Sequence, residues 1–166
     1  VHATNDHVTV GIYGMSYLFR ELSEAGYSDL AFKVLMQKTD PSPACWVSKG
    51  ASTLWEDLGD GQSRNHIMFG DFTAWAFEYL AGIRPLETSP GGSEMVVAPT
   101  VIDDLSYVTA SVDTPFGKYS SAWRKDDKGG VLLTITVPPN AKAHFFMPGK
   151  SKSRLLDTGT HQFSLK

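Results

Sequence analysis

The apolar residues of this chain keep two different periods, and the change falls near residue 88. Before it they recur at three- and four-residue steps, as amphipathic helices require. After it they alternate in short runs rich in β-branched and aromatic residues, as strands require. A chain patterned this way folds as helices followed by a small β-domain. Residues 1–88 are therefore expected to be helical and residues 89–166 to form a compact antiparallel β-sandwich.

Three helices are expected in the first part. Over 11–25 the residues Ile12, Met15, Leu18, Phe19 and Leu22 line one face, and Gly26 is the stop. Ser28 or Asp29 then caps a second helix with Leu30, Ala31, Val34 and Leu35 inside. The prolines at 41 and 43 end it and open an irregular segment that carries Trp46 and Trp55. A third helix is expected over 67–81, with Phe69, Phe72, Ala76, Tyr79 and Leu80 on one side, Trp75 at its edge and Gly82 after it. Strands are expected at 95–97, 107–112, 117–123, 131–137, 143–147 and 161–165, separated by Gly-, Asp- and Pro-rich turns. Trp75 and Trp123 fall on these periodic elements and read as core.

Composition removes several classes of function. A net charge of -3 without a basic cluster gives no electrostatic footprint for nucleic acid or an anionic membrane. The apolar runs are far short of the roughly 18 residues a membrane span needs. One cysteine allows no intrachain disulfide, and His2, His7, His66, His144 and His161 have no zinc-type spacing, so neither a metal nor another cofactor is expected. The chain begins at Val1 with no initiator Met and no leader pattern, and meets a well-formed helix almost at once. It reads as a piece of a larger protein. Three helices with stripes as rich as Phe69, Phe72, Trp75 and Phe77 want more partners than they can give one another.

The residues that carry chemistry lie between 49 and 85. Glu56 sits between Trp55 and a turn containing Asp57, Asp60 and the Gly-Asp-Gly of 59–61. A carboxylate in a turn is most often a solvated group, but an indole that excludes water and neighbouring carboxylates shift its proton affinity. Asn65 and His66 follow at the expected start of the third helix, and together they suit hydroxyl recognition. A lone histidine there is more often structural than catalytic. Trp46 and Trp55, in the irregular segment, offer apolar faces on which a pyranose ring could stack. Ser52 and Thr53 have no histidine near them in sequence to suggest a serine nucleophile.

These residues, in this order, resemble the C-terminal end of the bacterial and fungal α-L-rhamnosidases, inverting glycoside hydrolases with an (α/α)6 barrel and a β-sandwich. The family's helix opening G-x-x-G-x-x-Y-L is matched by Gly11-Ile12-Tyr13-Gly14-Met15-Ser16-Tyr17-Leu18, and its Pro-Ser turn by Pro41-Ser42. Its G-A-T-T-x-W-E signature is matched by Gly50-Ala51-Ser52-Thr53-Leu54-Trp55-Glu56. Its S-x-N-H is matched by Ser63-Arg64-Asn65-His66 and its A-G-I exit by Ala81-Gly82-Ile83. Pro138-Pro139-Asn140 is similar to a turn of the family's β-domain. After Glu56 the sequence departs from the common Arg-Trp-Asp and has Asp57-Leu58-Gly59 with a shorter loop, which bears on the aglycone side of the site.

The resemblance implies that residues 1–88 are the last helices of an (α/α)6 barrel and residues 89–166 its C-terminal sandwich. It implies Glu56 as general base, His66 as a contact to rhamnose with Asn65 beside it, and Trp55 shaping the base's surroundings. The substrate implied is a terminal α-L-rhamnose on a glycoside or polysaccharide. The family's general acid belongs to an earlier part of the barrel that nothing in these 166 residues matches, so the chain alone is expected to be inactive. Its exposed helix faces are expected to be covered by the remainder of the barrel or by self-association. The compartment stays open, with a periplasmic or secreted bacterial setting preferred over the cytoplasm. Two other readings remain: a carbohydrate-binding or packing module, and another (α/α)6-barrel glycosidase acting on a different sugar.

Overall fold

The computed structural model describes residues 1, 4–56, 63–89 and 91–165. The turn expected at Gly59 to Gly61, with Asp57 and Asp60, lies outside them. The chain forms two compact units, Val1–Trp75 and Ala76–Lys166. The sheet unit thus begins ahead of residue 88, because a helical turn and a first short strand pack with the sheets that follow them.

The helical unit opens with α1 (Ile12–Glu24), which buries Met15 and Phe19. The Phe19 ring lies 5.5 Å from Trp75 and meets Phe72 edge-on at 6.4 Å. The Trp75 indole N–H donates to the Ser23 hydroxyl at 2.7 Å, so the buried ring has a partner for its polar edge. Gly26 (φ 84°) ends the helix as expected. Its N–H donates to Ser23 and that of Tyr27 to Leu22, the paired bonds that satisfy the last carbonyls of a helix.

Helix α2 (Ser28–Leu35) buries Ser28, Ala31 and Val34. Its N-cap residue is Tyr27, and no side chain caps it, so neither Ser28 nor Asp29 has the expected role. Pro43 does not leave an irregular segment behind it. It opens a short helix, α3 (Pro43–Ser48), at the first-turn position where a missing N–H costs nothing. The Ser42 hydroxyl just before it donates to the Val34 and Leu35 carbonyls, 3.0 Å from each, closing the end of α2.

The helix expected over 67–81 is broken into a 3-10 turn at Ile67–Phe69, a short α4 (Phe72–Trp75) and a π-turn at Ala76–Leu80. The Thr73 hydroxyl and N–H both donate to the Gly70 carbonyl, at 2.7 and 3.0 Å, and Asp71 is drawn to the Arg20 guanidinium of α1. Apolar side chains stay uncovered on this unit: Tyr13 is 85% exposed and Ile67 80%.

The sheet unit is a sandwich of two four-stranded sheets. One has the order β1 (Ile83–Pro85), β2 (Glu94–Val97), β6 (Lys142–Phe146), β7 (Ser153–Leu156). The other has the order β3 (Tyr107–Thr114), β4 (Gly117–Lys125), β5 (Val131–Val137), β8 (Gly159–Leu165). The ladders are antiparallel apart from the parallel β2–β6 pair. Leu133, Ile135 and Val137 point inward from β5 with Tyr119 and Trp123 of β4. Met95, Val97, Ala143, Phe145 and Leu156 meet them from the other sheet, and Phe145 stacks on Phe163 at 4.5 Å.

Two polar groups tie the sandwich internally. The Trp123 indole N–H donates to the Leu80 carbonyl at 2.8 Å. The Tyr119 hydroxyl reaches the Ser93 and Lys142 carbonyls at 3.1 and 3.0 Å. Burial pushes the Tyr119 phenol above its ordinary pKa, so it stays a donor. The Ser121 hydroxyl, buried between these rings on the same face of β4, has no hydrogen-bond partner among the described residues. Replacing Ser121 by Ala is expected to leave stability unchanged or raise it by up to about 1 kcal/mol, because it removes a buried unpaired hydroxyl. Urea midpoints of the two chains check this.

Gly82 joins the π-turn to β1 at φ 76°, and a Cβ there would lie 2.2 Å from the Ala98 carbonyl carbon and the Pro99 nitrogen. Its own carbonyl accepts the Ala98 N–H at 2.8 Å, which fixes that close approach. Gly82→Ala therefore meets both left-handed backbone strain and overpacking, an expected loss of about 2–4 kcal/mol. Thermal unfolding of the variant measures it.

Candidate functional site

The candidate residues come together because two backbone segments, 53–56 and 63–66, are bound side by side. The Glu56 N–H donates to the Ser63 carbonyl and the His66 N–H to the Leu54 carbonyl, each at 2.9 Å. The Thr53 hydroxyl donates to the Arg64 carbonyl. These rungs bring residues ten apart in sequence onto one small scaffold. Glu56 and His66 are both half-buried and Asn65 is exposed.

One oxygen of Glu56 is already engaged. Its Oε2 accepts the Ser63 N–H at 2.9 Å, a bond that orients the carboxylate. The scaffold rests on an aromatic floor. Trp55 is 3% exposed and Trp46 2%, with ring centroids 6.3 Å apart, and Phe69 meets Trp46 edge-on at 6.3 Å. The Arg64 guanidinium covers the Trp55 ring at 4.6 Å from its centroid.

The expectation that Trp46 and Trp55 form a sugar-stacking surface is corrected here. Trp46 lies on α3, both indoles are buried, and Arg64 occupies a face of Trp55. Their work is to hold the segment carrying Glu56. Ser63, Thr53 and Arg64 are the residues that sequence reasoning missed. Ser63 and Arg64 stand inside the S-x-N-H pattern and Thr53 inside the tryptophan–glutamate signature, which was the available signal.

Other reactive groups nearby are quiet. Burial, with a hydrogen bond to Asp40, pushes the Cys45 thiol above its usual pKa, which disfavours the nucleophilic thiolate. Asp40 is held below the usual carboxylate range by hydrogen bonds to Lys49, at 2.6 Å, and to Cys45. Among the described residues no three His, Cys, Asp or Glu side chains converge to hold a metal ion. A cavity of about 480 Å3 adjoins the scaffold through Leu54, Ile67 and Met68 and reaches Tyr13 and Ser16 of α1, with neither Glu56 nor His66 in its lining.

A helical unit whose Glu56 and His66 stand on two backbone segments bound to one another, followed by a β-sandwich, fits the C-terminal end of a helical-barrel glycosidase. Residues 1–80 match the bacterial alpha-L-rhamnosidase 6 hairpin glycosidase domain, and residues 82–162 match the bacterial alpha-L-rhamnosidase C-terminal domain. The chain belongs to the bacterial α-L-rhamnosidase family and corresponds to a C-terminal part of such enzymes.

It is 29% identical to an alpha-L-rhamnosidase of Formosa agariphila, over 93% of this chain and 18% of that protein. It is 28% identical to one of Streptomyces avermitilis, over 95% of this chain and 16% of that protein. Among solved structures, the Aspergillus terreus alpha-L-rhamnosidase superposes with a TM-score of 0.91 at 29% identity, covering 99% of this chain and 20% of that one. The Streptomyces avermitilis enzyme complexed with L-rhamnose gives 0.87 at 25% identity, covering 99% and 19%. The chain thus spans less than a fifth of the length of the curated relatives it matches.

Proposed function

We propose that the protein containing this chain hydrolyses terminal α-L-rhamnose from glycosides or polysaccharides with inversion, and that Glu56 is its general base. The observation that carries this is the fixed pairing of segments 53–56 and 63–66, which orients Glu56 through the bond from the Ser63 N–H to its Oε2. An ionised Glu56 takes a proton from a water as that water attacks the oxocarbenium-like anomeric carbon. A protonated acid on the opposite face releases the aglycone. Such a pair stands about 6.5–9.5 Å apart to admit the water. His66 and Asn65 bind the sugar hydroxyls, and Trp55 walls the base from solvent. The relatives support the substrate: they are alpha-L-rhamnosidases, one of them solved with L-rhamnose.

The acid and the other walls of the site belong, in this proposal, to the rest of the barrel, which also covers Tyr13 and Ile67. A periplasmic or secreted setting is part of the same reading. The test is a panel of nitrophenyl glycosides on the full-length enzyme, with the product's anomeric configuration followed by NMR. Turnover of the α-L-rhamnoside with inversion supports the reading, and a clear preference for another sugar overturns it.

A further inference from the structure

Resting on the reading of Glu56 as base, we propose that Thr53 is a positioning residue for it, holding residues 63–66 in register with the segment that carries the carboxylate. Among the described residues, Thr53 to Arg64 is the rung between the two segments made by a side chain donating to backbone, away from the acid itself. Arg64 is held twice, its carbonyl by the Thr53 hydroxyl and its guanidinium against Trp55. Ser63, whose N–H aims Glu56 Oε2, is the residue immediately before it. Freeing the Arg64 carbonyl therefore loosens the segment whose Ser63 N–H orients the base.

Thr53 is exposed, so its hydroxyl is not needed to satisfy a buried group. Water replaces it at little cost to folding, and the stability term of one such bond is small. Position is different: a base displaced by about 1 Å can lose up to roughly a hundredfold in rate. The His66 N–H keeps its separate bond to Leu54, so the sugar contact is affected less than the base.

The experiment compares wild type, Thr53→Val, Thr53→Ser and Glu56→Gln in the full-length enzyme with nitrophenyl α-L-rhamnoside, alongside melting curves. Thr53→Val, which keeps the shape and drops the hydroxyl, is expected to lower kcat by about tenfold or more, with KM within about threefold and melting unchanged. Thr53→Ser, which restores the hydroxyl, is expected to return kcat to within about twofold of wild type. Wild-type kcat in Thr53→Val overturns the proposal, and so does a Thr53→Ser variant as slow as Thr53→Val. If Glu56→Gln retains normal turnover, the base assignment fails with it. If Glu56→Gln is inactive and Thr53→Val is normal, only the positioning role fails.

Discussion

Glu56→Gln in the full-length enzyme is expected to lower the rate of rhamnoside hydrolysis by about 10²–10⁴-fold, the usual contribution of one acid–base group. Glutamine keeps the shape of the side chain and an oxygen that can accept the Ser63 N–H, so the scaffold should survive. What it loses is the ability to take a proton from the attacking water. The effect should therefore fall on kcat, with KM and melting temperature close to wild type. Initial rates with a chromogenic rhamnoside decide it. Normal turnover removes Glu56 from the mechanism, and a collapse in melting temperature would make its role structural.

The largest stability effect is expected at Trp123. The ring is 1% exposed at the centre of the sandwich, among Tyr119, Leu133 and Ile135, and it anchors the Leu80 carbonyl. Trp123→Ala opens a cavity and leaves that carbonyl without its donor, for an expected loss of about 3–5 kcal/mol. In a domain of this size that corresponds to a drop in Tm of roughly 10 °C or more. Trp123→Phe keeps most of the bulk and separates the two causes. If packing dominates, the Phe variant loses far less than the Ala variant, and if the indole N–H dominates, the two losses converge. Calorimetry on the three chains gives the answer.

How much was readable from the chain depended on whether a residue's role was periodic. Val131–Val137 alternates cleanly between turns, and the strand has those bounds in the structure. The stripe of Met15 and Phe19 likewise marked α1. Pro43 was read as a breaker because proline ends helices, yet at a first-turn position it starts one. Strand β1 has three residues and includes Pro85, which an edge strand tolerates, and the exposed Ser153, Arg154 and Leu155 of β7 give no alternation. The long helix expected before Gly82 is interrupted at Gly70 and Asp71, between the 3-10 turn and α4, where Asp71 pairs with Arg20.

At the site, motif order picked out Glu56, His66, Asn65 and Trp55. It did not reveal the rungs that join them, since backbone bonds such as Glu56 to Ser63 and His66 to Leu54 leave no trace in residue type. Burial of Trp46 and Trp55 was equally hidden, because their cover comes from one another, Phe69 and Arg64 rather than from a periodic face.

The central claim is that Glu56 acts by deprotonating water, and chemical rescue tests it most directly. In a full-length Glu56→Ala variant, azide needs no base to attack the anomeric carbon. The account predicts that adding azide restores nitrophenol release and gives a rhamnosyl azide of inverted configuration. A rate indifferent to azide in a folded, rhamnose-binding variant, or an azide product of retained configuration, would contradict it.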